Sequence, residues 1–361
     1  MHLVHHRISN LAVLLRKAVV LLFATFLSAP TVLAAGTLPD SPDPELQARP
    51  GSASGESLII QDSEIRLPSS AEPAHLRAAG PGWILSSVVR GERGSTIHLL
   101  LKDAVGELRS PPAPESRRGA EIRDPIPLIG EDSEFRGLVW LEGPDRGSMA
   151  VRGTVWNGRA WEEPRTLAAP GPGSQLALDA TRLSDGSHLL VWSRFDGEDD
   201  EIAWLRTGFV GNRHEGEEDR EIRIVHGANT VPDITPALLP TPEGALLAWS
   251  RYDGNDYRLQ LARFSGDGWT HLGPLSDRGA LLPRWQRDRD SGGILVYRDA
   301  AREGWKALRV EPGGTIRSRA FVPGPPGPTP RILETTQGDP VLVLPSGERR
   351  RLEWTSASIL P

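Results

Sequence analysis

The chain has 361 residues, with 41 Lys and Arg against 47 Asp and Glu, and the formal charge of −6 disfavours nucleic acid or an anionic membrane surface as its main partner. It contains no cysteine, so disulfides, a thiol nucleophile and lipid attachment through an N-terminal Cys are all excluded. With 38 Gly and 32 Pro and no lasting 3.6-residue pattern beyond the N-terminal segment, long helices are excluded as well.

Residues 1–34 read as a secretory signal: Arg7, Arg16 and Lys17 precede the apolar stretch from Ala18 to Leu27, and Pro30 with small residues at Val32 and Ala34 suits cleavage before Ala35. The apolar run falls short of the roughly 20 residues that a membrane span needs, which ranks an uncleaved anchor second. No later segment is apolar enough to span, so the expected location is periplasmic or secreted, with no integral membrane segment after cleavage. Losing the signal removes three cations and no anion, leaving the mature chain more acidic still. Residues 35–56, rich in Pro, Ser, Gly and Asp, read as a flexible linker, and 57–361 as the folded domain.

Within that domain one segment recurs. Trp192-Ser193-Arg194-Phe195-Asp196-Gly197 returns as Trp249-Ser250-Arg251-Tyr252-Asp253-Gly254, with weaker copies at Leu138-Val139-Trp140 and Ile294-Leu295-Val296-Tyr297. Degenerate copies sit around Val88 and from Val341 to Leu344. About ten residues after each anchor a second alternating run begins, at Met149, Ile202, Leu259 and Ala307. Turns follow at Asn157-Gly158 and at Gly266-Asp267-Gly268. Each unit thus holds about four strands in roughly 50 residues, the content of one propeller blade. The expectation is an all-β, six-bladed β-propeller of four-stranded antiparallel blades. The last unit has room for only three strands, so the run Leu58–Leu67 is expected to supply its outer strand and close the ring. A pair of β-sandwiches would explain the strand spacing but not the recurrence.

The repeat Leu246-Leu247-Ala248-Trp249-Ser250-Arg251-Tyr252-Asp253-Gly254, ending in Phe264-Ser265-Gly266-Asp267-Gly268-Trp269, resembles those of bacterial Asp-box (BNR) and sialidase-like propellers. It is also similar to repeats of TolB-like periplasmic propellers and of six-bladed fucose-binding lectins. It departs from the Asp box, Ser-x-Asp-x-Gly-x-x-Trp, by a shortened Ser265-x-Asp267-Gly268-Trp269. The resemblance implies ligand recognition by the loops between second and third strands. For a sialidase it would further imply a Tyr nucleophile beside a carboxylate, and Tyr252, Tyr257 and Tyr297 are the only tyrosines.

Those loops carry the candidate ligand-binding residues, Arg194, Arg251 and Arg298 with Asp196, Asp253 and Asp299. Three guanidinium groups aimed at one axis would hold a carboxylate or phosphate by paired hydrogen bonds. Their recurrence in each repeat favours the other reading, in which each Arg braces its own loop against an acidic neighbour. The oxygen-rich turns Asp196–Asp200 and Asp253–Asp256 suit Ca²⁺ chemically but match no EF-hand, and Asp-Gly is an ordinary hairpin turn. No metal or other cofactor is therefore expected beyond that Ca²⁺ option. Trp140, Trp192 and Trp249, inside apolar runs, read as inter-blade core, and Trp161 and Trp269, at turns, as covers for blade edges. The six His residues beyond the signal show no metal-ligand spacing, and no Gly-x-Ser-x-Gly, phosphate-binding or dinucleotide fingerprint occurs. The sequence reads as a monomeric, non-catalytic binding module for a protein or glycan partner. The alternatives are a sialidase-like glycoside hydrolase and a fucose-lectin-like sugar-binding protein.

Overall fold

A computed structural model describes the backbone of Ala34–Gly36, Leu46–Arg49, Ser57–Ile60 and Ser63–Arg66. From residue 71 to 356 it describes all but 93, 104, 209–220, 228, 277, 289–291, 326–329, 335–339 and 344–347. Residues 1–33 of the expected signal and most of the expected linker lie outside the described residues.

Every regular element among the described residues is a strand. Five antiparallel meanders follow one another. Sheet I comprises Ala71–Ala79, Gly82–Gly91, Gly94–Lys102 and Leu108–Arg109, and sheet II Glu121–Ile129, Phe135–Gly143, Ala150–Val155 and Arg165–Ala168. Sheet III comprises Gln175–Arg182, His188–Phe195, Asp200–Thr207 and Arg223–Ile224, and sheet IV Asp233–Thr241, Gly244–Tyr252, Tyr257–Ser265 and Gly268–Pro274. Sheet V comprises Ala280–Arg287, Gly293–Asp299, Gly304–Val310 and Ile316–Pro323, with Thr355–Ser356 added at its outer edge. Sheet VI has three described strands, Arg331–Glu334, Pro340–Val343 and Arg349–Arg351. The architecture is all-β and consistent with a propeller. Every anchor of the sequence repeat falls on the second strand of its sheet.

The run Leu58–Leu67 does not extend sheet VI among the described residues. Ser57–Ile60 and Ser63–Arg66 pair with each other as a hairpin, and Leu46–Arg49 pairs with Ser57–Ile60. A hairpin partner a few residues away costs far less loop-closure entropy than one across the ring. Ala34–Gly36 instead runs parallel to Ala71–Ala79 and lies against Ala280–Arg287 of sheet V.

The apolar runs of sheets II to V are continuous because each of these sheets is covered on both faces. Leu138 and Trp140 face sheet I, whereas Val139 and Leu141 face sheet III. Leu190 and Trp192 pack on sheet II, and Leu189 and Val191 on sheet IV. The same alternation continues through Leu246 and Leu247 of sheet IV and Leu295 and Val296 of sheet V. Sheet VI joins through Leu342, which meets Ile294 and Val322 of sheet V. Trp140, Trp192 and Trp249 are each 0% exposed, as core residues should be. Trp161 and Trp269 cover edges: the Trp161 ring lies against Phe135 and Trp156, and that of Trp269 against Trp204 and Phe264.

Opposite the anchors of sheets II to V the first strand bulges. The registers break between Leu176 and Asp179 opposite Trp192, between Ile234 and Ala237 opposite Trp249, and between Leu281 and Arg284 opposite Tyr297. A matching break in sheet II lies opposite Trp140. At each break a non-glycine residue takes a left-handed backbone: Asp124 (φ 47), Ala177 (φ 52), Thr235 (φ 53) and Leu282 (φ 56). Two residues facing one large ring is the geometry of a β-bulge, which bends the strand and sharpens its twist. The first strands of sheets I to V pack consecutively, so these bends lie around a common centre.

Candidate functional site

Three polar clusters are built on this frame. The first lies deep among the first strands. Asp179 accepts the N–H groups of Ala180 and Leu238, each at 2.8 Å, and Arg77 stands 3.8 Å from it while donating to Ala180 O at 3.3 Å. Asp124 accepts the N–H of Leu178. A bulge leaves N–H groups without ladder partners, and these carboxylates, each from the preceding sheet, satisfy them. Burial holds Asp124 and Asp179 above the usual carboxylate range, and burial with the Arg77 and Arg284 charges keeps His75 well below that of histidine. The cluster braces the centre.

The second cluster lies at the sheet III–IV junction. Arg251 donates from Nε and Nη2 to the two oxygens of Asp233, at 2.7 and 2.5 Å. Trp249 Nε1 donates to Asp233 at 2.8 Å, and Asn229 Nδ2 donates to both Asp233 and Glu201. Asp233 and Arg251 are directly opposite on adjacent strands, which fixes the fork geometry. The Glu201 side chain is pushed up to about 7, first by burial, with the charges of Asp233 and Asp199 adding to it. Beside the Trp249 ring, His271 packs against His226 with centroids 4.8 Å apart.

The expected candidates do not converge. Arg194 and Arg251 each stand two residues past their anchors, and Arg298 only one. Successive residues point to opposite faces of a strand, so Arg298 faces away from the other two positions. It is 7% exposed and donates to the carbonyls of Gly304, Gly324 and Pro325. Asp299 occupies the position equivalent to Arg194 and Arg251, a substitution the short motif concealed. The predicted Arg–Asp pairings are also redrawn. Arg251 engages Asp233, not Asp253, whose partner is Arg258 at 2.8 Å. Arg194 lies near Asp196 without forming an ion pair among the described residues. Asp196 accepts the N–H groups of Glu198 and Asp199, and Asp253 those of Asn255 and Asp256, so both carboxylates close their own turns. Gly197 (φ 118) and Gly254 (φ 93) complete them. Among the described residues no group of three or more His, Asp or Glu is disposed to hold a metal ion.

The third cluster went unnoticed in the sequence because, Asp299 apart, its members lie outside the recurring motif. At the same end of the sheets, a cleft of about 390 Å³ between sheets IV and V is lined by Arg258, Arg278, Asp299, Ala301, Arg302 and Lys306. Asp299 is 2% exposed and accepts the N–H of Arg302 at 3.2 Å on Oδ1. Lys306 Nζ lies 2.9 Å from Oδ2, so the enclosed carboxylate is paired with an ammonium on that side. Asp253 engages Arg258, whereas no carboxylate among the described residues pairs with the guanidinium of Arg278 or Arg302.

No family model matches the chain, and no curated protein does. Solved structures of similar fold include a protein from Lactobacillus plantarum (14% identity, TM-score 0.51, 82% of this chain and 85% of that one). TolB from Acinetobacter baumannii is similar at 12% identity and TM-score 0.47 over 79% of this chain and 64% of its own. An α-L-arabinofuranosidase from Lactobacillus brevis is similar at 12% identity and TM-score 0.44 over 71% of this chain and 94% of its own. Likeness at these identities concerns the fold alone.

Proposed function

We propose that the chain is an exported, non-catalytic binding module, a six-bladed propeller with sheet VI as its last blade. It recognises a protein or glycan partner through the loops that follow its second strands. The observation that carries this reading is the state of the tyrosines. Tyr297 is 2% exposed and packed in the sheet IV–V core. Tyr252 and Tyr257 stack on each other at 5.3 Å, and burial, with the Asp200 charge, pushes the Tyr257 phenol up to about 12. A nucleophile needs the opposite shift. The turns after the second strands of sheets III and IV, meanwhile, are closed by the Asp196 and Asp253 carboxylates, which suits a recognition surface on a fixed frame.

One observation favours the hydrolase reading. Glu201, pushed up to about 7, neighbours Asp233, and a pair of carboxylates is what glycoside hydrolysis uses. Both side chains are enclosed, at 2% and 1% exposure, and both are held by Asn229, which leaves no face for a sugar. The test is a panel of sialoside and arabinofuranoside reporters beside a glycan array. Binding without turnover is expected. Turnover abolished by Glu201→Gln or by Tyr257→Phe would replace the binding reading with the hydrolase.

A further inference from the structure

We propose that Asn229 works as a protonation-dependent clasp, which fastens the connector between sheets III and IV while Glu201 carries its proton and loosens when Glu201 ionises.

The connector leaves the outer edge of sheet III at Arg223–Ile224 and enters sheet IV at Asp233. Its first part is held by the sheet itself: Ile224 pairs with Ala203, and Val225 N–H donates to Ile202 O at 2.9 Å. Its second part is held by Asn229. The backbone N–H and Nδ2 of that residue both donate to Glu201 Oε1 at 3.1 Å, and Nδ2 also donates to Asp233 Oδ2 at 3.2 Å. Asn229 Oδ1 in turn accepts Val231 N–H at 2.8 Å. Glu201 belongs to the third strand of sheet III and Asp233 to the first strand of sheet IV, so one side chain ties the connector to both sheets.

The charges around Glu201 make that tie sensitive to its proton. Asp199 lies on its own strand's entry and Arg194 directly opposite on the neighbouring strand. Sheet IV contributes Asp233, Arg251 and His271, and the connector contributes His226, whose ring packs on that of His271. With Glu201 ionised, three enclosed carboxylates share the junction with the Arg251 guanidinium. With Glu201 protonated, one of those charges is gone and its carbonyl oxygen still accepts from Asn229. Burial, with the Asp233 and Asp199 charges, pushes the enclosed Glu201 up to about 7 from an ordinary 4.5. The closed connector therefore holds the proton more tightly than an open one, and opening grows as pH rises toward 7 and levels off above it.

The experiment is hydrogen exchange of the full chain from pH 5 to 8, read at the amides of Val225, Asn229 and Val231 and corrected for the intrinsic pH dependence of exchange. Opening should increase at least about fivefold between pH 5 and 7.5. At every pH these amides should exchange well before those of Phe135–Gly143 in sheet II, which marks the opening as local. Glu201→Gln, neutral throughout and still offering an oxygen to Asn229, should flatten the profile. Asn229→Ala should raise opening at pH 5 at least about fivefold, to the level the natural chain reaches at pH 7.5. Four results would each overturn the proposal: no increase in the natural chain, an increase that persists in Glu201→Gln and so belongs to His226 or His271, an Asn229→Ala connector as protected at pH 5 as the natural one, or a connector that opens only together with sheet II.

Discussion

Arg194 and Arg251 occupy the same place in two nearly identical repeats, yet the structure assigns them different energies. Asp233 is 1% exposed on its side chain and takes four hydrogen bonds, two from Arg251, one from Trp249 and one from Asn229. Arg251→Ala removes both charge-assisted bonds and leaves an enclosed carboxylate with two neutral donors. Breaking such a pair typically costs about 3 to 5 kcal/mol, and the 17% exposure of Arg251 moves the expectation to about 2 to 4 kcal/mol. For a domain of this size that corresponds to a fall in melting temperature of roughly 4 to 10 °C. Arg194→Ala, which breaks no ion pair among the described residues, should change stability by no more than about 0.5 kcal/mol. Thermal and urea denaturation of the two variants, with Arg251→Lys as the variant that keeps the charge but not the fork, is the assay. Equal losses for Arg194→Ala and Arg251→Ala would refute the reasoning, because the motif alone would then set the energy.

Glu201 supplies a pH test. Its folded titration near 7 lies above the ordinary value of 4.5, so the stabilisation is complete below about pH 4.5 and is lost as pH rises through 7. Relative to Glu201→Gln, the natural chain should therefore lose stability between pH 5 and 7.5, and parallel melting-temperature profiles of the two proteins would remove the inference. His188 acts in the other direction. Burial lowers it to about 4 while its Nε2 meets Ile129 O at 3.1 Å, so stability present above pH 6.5 falls as pH drops toward 4, a slope that His188→Gln should flatten in acid denaturation. At the left-handed position Ala177, replacement by Gly should be neutral or stabilising by up to about 1 kcal/mol, whereas Val should destabilise by more than 1 kcal/mol; a Val variant as stable as the natural chain would contradict the bulge. Trp249→Phe, which keeps the ring but withdraws one donor from Asp233, should cost about 1 to 2 kcal/mol by equilibrium unfolding, well short of the 3 to 5 kcal/mol expected for Trp249→Ala.

What the sequence disclosed was whatever repeats at fixed spacing. Leu190 and Trp192 on one face and Leu189 and Val191 on the other make one continuous run, and four such runs located the second strands of sheets II to V. The bulges carried a mark that went unread: Pro125, Pro236 and Pro283 directly follow the left-handed residues Asp124, Thr235 and Leu282, and a proline inside a strand signals a bulge, whereas Ala177 is followed by Leu178 and shows no such sign. The arginine ring was the less favoured of two readings, drawn from proximity to the anchors, and a one-residue offset takes Arg298 out of it, since a strand turns every side chain over at each step. Arg298 therefore braces carbonyls in the sheet V–VI region, and the position facing sheet IV falls to Asp299. Where sheet IV places Arg251 against Asp233, sheet V places the carboxylate of Asp299 against Lys306, and the arginines around it, Arg278 and Arg302, lie outside the recurring motif. The regular part of the repeat, its apolar second strands, packs the sheets on one another, and the polar residues beyond those strands are free to differ from sheet to sheet, as Arg251 and Asp299 do.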